Sequence, residues 1–269
     1  MIIDFHTHVF PPKIAPRTLE VLKGNAYESR GVKAIAYTEG TVDSLRASME
    51  ENGVSLSVVL PIATKPTQTT SINDFAQFIT DGNIISFGSL HPCQDDWEDV
   101  LVDLSRRGFK GIKIHPQYQD VYIDSPEVIR VVKKAEELGL YTVFHAGKDI
   151  GFPPETDLCT PKRIKNLLDY VSGKYLVAAH LGSFEMWDDV EKYLVGTKIS
   201  FDVSFACDFV GKEQLLRIIK KHGADKILYG SDSPWGSQSA PLRVLETLDL
   251  TKDEMDFILF KNAKRILDL

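Results

Sequence analysis

Eight short runs of apolar and β-branched residues recur along this chain, separated by longer amphipathic stretches. The runs span residues 2–8, 57–62, 84–90, 111–115, 141–145, 175–180, 199–205 and 227–231. Most are apolar on both faces, as expected of parallel strands covered on both sides. Between them, residues 97–107 and 125–138 carry apolar side chains at helical spacing. Ser125-Pro126 and Thr160-Pro161 read as an N-cap followed by a proline in the first turn. Thr251 with Glu254 reads as a capping box, and Gly108 and Gly139 fall where a helix must stop before the next strand. Eight β-α repeats predict an α/β fold closed into a (β/α)8 barrel, a TIM barrel, rather than an open sheet. The 269 residues suit one such domain over residues 1–269. The first connection, about residues 9–53, is long and carries Pro11-Pro12. It is expected to be either a binding element over the site or an extra helix on the barrel exterior.

Composition narrows the function. The net charge of −7 argues against nucleic acid as a partner, because phosphate binding rests on clustered Lys and Arg. No apolar run approaches the ~20 residues that span a bilayer, so no membrane partner is expected. Cys93, Cys159 and Cys207 are widely spaced and form no C-x-x-C, which points to reduced thiols and neither disulfides nor a thiolate metal site. Met1-Ile2-Ile3 enters a strand at once, with no basic region or cleavage site, so a cytoplasmic protein is expected. There is no Gly-x-Gly-x-x-Gly after the first run and no P-loop. A small molecule is left as the natural substrate. The oligomeric state stays open, a homo-oligomer included.

The histidines are more specific. Of seven, six lie at or just after the C-terminal end of a strand run: His6, His8, His91, His115, His145 and His180. Barrel enzymes build their sites at that face. His6-Thr7-His8 places two imidazoles at i and i+2, on one face of a strand, where they can chelate a borderline metal. His145 ends the fifth run and Asp232 follows the eighth, and both complete the expected ligand set. His180 ends the sixth and is expected beside the metal in a catalytic role. His115, Lys113, His91 and Lys148 are candidates for substrate binding, and Lys65 also follows a strand end. For each, a commoner reading competes: an isolated buried histidine is usually only hydrogen-bonded, an Asp can cap a helix, and a lysine is usually solvated.

Taken in order, Asp4-Phe5-His6-Thr7-His8, Gly111-Ile112-Lys113-Ile114-His115-Pro116, His145-Ala146-Gly147, Ala179-His180-Leu181-Gly182 and Tyr229-Gly230-Ser231-Asp232 resemble the amidohydrolase superfamily. Within it they resemble the amidohydrolase-related group that includes aminocarboxymuconate semialdehyde decarboxylase. The segment Asn262-Ala263-Lys264-Arg265-Ile266-Leu267 looks like the family's closing helix. The resemblance implies a distorted barrel and metal ligation by His6, His8, His145 and Asp232. It implies an acid/base or second-metal role for His180. Two-metal members bridge their ions through a carboxylated lysine or a glutamate on the fourth strand. Here that strand offers Lys113 and His115 and no glutamate, closer to the one-metal group.

The reading that follows is one divalent ion, zinc before manganese, that activates a water. Asp232 and His180 would move its protons, and a C–O or C–N bond of a small anionic substrate would be hydrolysed. The alternative is non-oxidative decarboxylation of an aromatic or muconate-like acid, which the same ligands can serve. A two-metal nuclease and an inactive binding barrel fit the residues less well.

Overall fold

The computed structural model describes residues 1–269. The strands are β1 (Ile3–Thr7), β2 (Leu56–Val59), β3 (Ile84–Ser86), β4 (Gly88–Ser89), β5 (Gly111–Ile114), β6 (Tyr141–Phe144), β7 (Leu176–Ala178), β8 (Ser200–Asp202) and β9 (Ile227–Leu228). All eight expected runs carry strand. The third is divided at Phe87 into β3 and β4, so the ladder reads as two parallel sheets, β1-β2-β3 and β4 to β9 in order. Phe87 still donates its N–H to the Val59 carbonyl at 2.9 Å, which keeps the third strand in line.

The two ends of the chain close the barrel. Phe5 donates to the Tyr229 carbonyl at 2.8 Å, Asp232 to the His6 carbonyl at 2.8 Å, and His8 to the Ser233 carbonyl. Asp4 reinforces the seam. Its carboxylate is fully buried and accepts from the Ser231 N–H at 2.9 Å, the Ser231 hydroxyl at 2.6 Å and the Gln238 amide at 2.8 Å. A single buried cluster then joins Ile3, Phe5, Val58, Leu60, Phe87, Val143, Val177 and Leu228. Contact among residues of strands so far apart in the ladder requires the sheet to be closed.

Helices cover the outside. They are α1 (Ala15–Arg30), α2 (Val42–Asn52), α3 (Thr69–Ile79), α4 (Trp97–Arg106), α5 (Pro116–Gln119), α6 (Pro126–Glu137), α7 (Pro161–Leu167), α8 (Trp187–Tyr193) and α9 (Lys212–His222), followed by shorter turns to Leu267. Their starts obey the expected chemistry. The Ser125 hydroxyl accepts from Val128, Thr160 from Arg163, and Thr251 forms a capping box with Glu254. Gly108 and Gly139 have φ of 84° and 71°, a conformation that suits glycine at helix ends. The first connection divides in two. α2 packs Leu45 and Met49 against Val59 and Ile84 as an ordinary outer helix. α1 lies at the barrel mouth, where the Ser29 hydroxyl donates to the Gly151 carbonyl at 3.0 Å and Arg30 pairs with Glu185 at 2.8 Å. No helix is long and apolar enough to cross a membrane.

The one histidine away from the strand ends, His222, is a packing residue. It stacks on Phe201 at 4.0 Å, donates from Nε2 to the Ile199 carbonyl at 2.8 Å and accepts at Nδ1 from Gly196. Burial pushes its pKa down from 6.5 to about 4. The unfolded chain therefore takes up this proton before the folded protein does. The stability it protects is complete above pH 6.5 and falls away as the pH drops towards 4, by up to about 3 kcal/mol. His222→Gln keeps a donor for Ile199 without a titrating group. Urea unfolding as a function of pH should show a shallower acid decline for the variant than for the parent, and equal slopes would refute the assignment.

Candidate metal centre and catalytic cavity

Strand ends at the C-terminal face line a cavity of about 510 Å³. Its floor holds His6, His8, Lys113, His145, His180 and Asp232, and its walls include Phe10, Phe184, Phe205 and Trp235. Ile14, Thr18 and Leu22, in and beside α1, also line it, so the first connection is part of the pocket. The chain leaves the ladder at these positions in unusual conformations. His180, Phe205 and Asp232 have φ of 59°, 54° and 66°, a left-handed region that non-glycine residues seldom occupy and that concentrates at functional sites. Gly147 has φ 88° and sits against Phe184, where an added Cβ would lie 2.3 Å from the Phe184 nitrogen. That close approach holds the loop after β6 under His145.

His6 Nε2 and His8 Nε2 lie 3.2 Å apart, and Asp232 Oδ1 is 3.4 Å from the first and 3.1 Å from the second. His145 Nδ1 and His180 Nε2 face each other at 3.0 Å. The far side of each ring shows which nitrogen carries hydrogen, because a carbonyl or carboxylate oxygen only accepts. His6 Nδ1 meets Asp202 Oδ2 at 2.9 Å, His8 Nδ1 the Leu60 carbonyl at 2.8 Å, and His180 Nδ1 the Ser204 carbonyl at 2.9 Å. His145 is reversed, with Nε2 at 3.1 Å from the Lys148 carbonyl. Each of those outer nitrogens is the N–H. Four lone pairs, at His6 Nε2, His8 Nε2, His145 Nδ1 and His180 Nε2, are left facing the cavity floor.

The electrostatics match. Burial keeps His6 and His145 well below the ordinary imidazole pKa, with nearby Lys113 adding for His6 and His115 for His145. Burial opposes the charge on Asp232, but any positive charge on His6 and any hydrogen on His8 Nε2 favour its ionised form, and the carboxyl falls to about 2. Neutral lone pairs around an ionised carboxylate could hold a cation, and nitrogen with carboxylate donors suits zinc and other divalent first-row metals. Lys113 Nζ, itself lowered to about 8 by burial, approaches His6 Nε2 to 3.2 Å and is the only cationic donor among these atoms.

The other candidates divide. His115 accepts at Nδ1 from the Tyr118 N–H and points Nε2 at Asp149, 3.3 Å away. His115 and His145 stack at 4.3 Å beside Asp149, whose Oδ2 lies 3.3 and 3.9 Å from their Nε2 atoms, so these three side chains form a second group that could hold a cation. Lys148 lines the cavity. His91 does not. Its Nδ1 accepts from the Cys93 N–H at 3.2 Å, in the loop before α4. Lys65 is solvent-exposed and also lies off the cavity. Sequence reasoning passed over Asp149, Tyr118, Asp202 and Ser204. Asp202 and Ser204 stand at i and i+2 at the end of β8, the same spacing as His6 and His8, which was the available signal.

A family profile described as amidohydrolase matches residues 3–269. The chain belongs to the amidohydrolase family. It is thus a metal-dependent enzyme on a (β/α)8 barrel. No curated protein matches it in sequence. Among solved structures it is similar to 5-carboxyvanillate decarboxylase from Sphingomonas paucimobilis, at 16% identity and TM-score 0.69 over 100% of this chain and 99% of that one. A probable 2-pyrone-4,6-dicarboxylic acid hydrolase from Acinetobacter baumannii, with citric acid bound, matches at 16% and 0.67 over 100% and 99%. A 5-carboxyvanillate decarboxylase mutant from Novosphingobium aromaticivorans, with bound manganese, matches at 14% and 0.70 over 100% and 97%. At these identities the likeness concerns the fold.

His8→Ala and Asp232→Ala each remove an inward donor and should lose most of the divalent metal retained after dialysis, measured by elemental analysis against the parent. His91→Ala, off the cavity, should retain it. Full metal in Asp232→Ala would place the ion elsewhere.

Proposed function

We propose that this amidohydrolase cleaves a C–O or C–N bond in a small anionic organic molecule, with one divalent ion, zinc before manganese, held by His6, His8, His145 and Asp232. The observation that carries the reading is the grouping of His6, His8 and Asp232 in a cavity that the facing nitrogens of His145 and His180 also line. When bound there, such an ion supplies Lewis acidity, lowering the pKa of water and polarising the bond to be cut.

The chain's own residues supply the rest. With Nδ1–H committed to the Ser204 carbonyl, His180 presents a basic Nε2 to the cavity. That suits it to take a proton from water and return it to the leaving nitrogen or oxygen. Asp232, ionised and at the same floor, is the second proton acceptor. Phe10, Phe184, Phe205 and Trp235 exclude water around an apolar or ring-bearing body. Lys148 and Lys113 are the only Lys or Arg side chains lining the cavity, which suits an anionic substrate.

The same lining favours hydrolysis over decarboxylation. It contains no arginine, so the bidentate guanidinium clamp best suited to a reacting carboxylate is missing. Turnover of a panel of lactones, esters, amides and aromatic acids tests the choice. Hydrolysis products are expected; release of carbon dioxide from an aromatic or muconate-like acid, without hydrolysis, would make the chain a decarboxylase. His180→Asn should lower kcat by ~10²–10⁴ while keeping the metal. Loss of metal with activity would make His180 a ligand.

A further inference from the structure

The strand ends also hold a carboxylate that touches neither the proposed ion nor the substrate cavity. Asp202, at the end of β8, is 0% exposed and does not line the cavity. Its oxygens collect four donors. Oδ2 accepts from His6 Nδ1–H at 2.9 Å. Oδ1 accepts from the His180 N–H at 3.1 Å, the Ser204 N–H at 3.0 Å and the Ser204 hydroxyl. Because the hydroxyl gives its only hydrogen to Asp202, Ser204 Oγ can only accept from its two other neighbours. These are His6 Nδ1 at 2.9 Å and His180 Nδ1 at 3.1 Å.

We propose that Asp202 is the positioning residue that fixes His6 as its Nδ1–H tautomer and, by holding the His180 and Ser204 N–H groups, places the His180 ring where the Ser204 carbonyl takes its Nδ1–H, so that both Nε2 lone pairs are aimed into the site. This rests on the proposed metal site, and it adds a cause for it. A metal-bound histidine is set by what its other nitrogen donates to, and here one buried carboxylate governs both a proposed ligand and the proposed acid/base group. Asp202 also holds the left-handed backbone at His180 through that residue's own N–H. His8 and His145 are controlled separately, by the Leu60 and Lys148 carbonyls.

The arrangement makes Asp202→Asn informative. An amide nitrogen at the Oδ2 position would confront His6 Nδ1–H with a donor, and His6 could relieve the clash only by moving its hydrogen to Nε2, where it blocks ligation. The flipped amide would instead set its NH2 group against the His180 and Ser204 N–H groups. Neither orientation preserves the network. Ser204→Ala keeps the Asp202–His6 bond and the backbone carbonyl that His180 uses, so it removes only the shared hydroxyl.

Two measurements decide the matter. In the parent protein without metal, nitrogen-15 NMR of the imidazoles should find His6 and His180 as Nδ1–H tautomers. Either ring found with its hydrogen on Nε2 would overturn the proposal, whether or not any variant folds. In zinc competition against a chelator, Asp202→Asn should bind ~10–100-fold more weakly than the parent, and Ser204→Ala should lie much closer to the parent. Circular dichroism on the same samples checks that the barrel is intact. A folded Asp202→Asn with parental zinc affinity would refute the role. A parent that binds no zinc or manganese would instead remove the metal site, with the tautomer result standing separately.

Discussion

An imidazole offers a lone pair at one nitrogen only while the other keeps the hydrogen, and the centre of this barrel is built around that constraint. His6, His8 and His180 each give Nδ1–H to an oxygen that can only accept, and His145 does the same from Nε2. The acceptors are backbone carbonyls for His8, His180 and His145 and the Asp202 carboxylate for His6, so the backbone selects three of the four tautomers and one side chain the fourth. This explains why the strands end where they do. The left-handed residues His180 and Asp232 turn the chain out of the ladder at the ends of β7 and β9, where their side chains meet the cavity. The conformational strain and the ligand geometry are two sides of one arrangement.

The eight-fold alternation was legible because parallel strands covered on both faces read as short apolar runs, and each of these runs contains strand. The helix starts at Ser125, Thr160 and Thr251 were legible because capping needs particular side chains. The ends were less so. The runs 175–180 and 199–205 continue through His180 and Phe205, yet β7 and β8 stop at Ala178 and Asp202. Positive φ at His180 goes with a tertiary hydrogen bond from its N–H to Asp202, which no local pattern encodes. The break at Phe87 is likewise invisible, since Phe87 is as apolar as its neighbours.

Among site residues, the histidines stood out because a polar group ending an apolar strand needs a reason. Six positions looked equivalent in that respect. The fold separates them: five line one cavity, and His91 sits outside it, bonded to its own loop. Asp202 and Ser204 were hidden for the opposite reason. In Ser200-Phe201-Asp202-Val203-Ser204 their polar alternation reads as a strand with one solvated face, whereas that face is turned into the polar heart of the barrel. The first connection was expected as either a binding element or an outer helix; α1 lies at the cavity mouth and α2 packs on the exterior.

The seam between β9 and β1 has a consequence for how the protein is made. Asp4 and Ser231 are 227 positions apart, and the same seam brings His6 and His8 to Asp232. A chain still emerging from the ribosome holds the two imidazoles long before it has the carboxylate, the Asp4 partners or the last strand. Half-made barrel edges expose unpaired backbone and apolar faces, and contacts of such long range form slowly. If His6, His8 and Asp232 share an ion, that set is complete only when the final strand docks, and binding there would fasten a circle already closed.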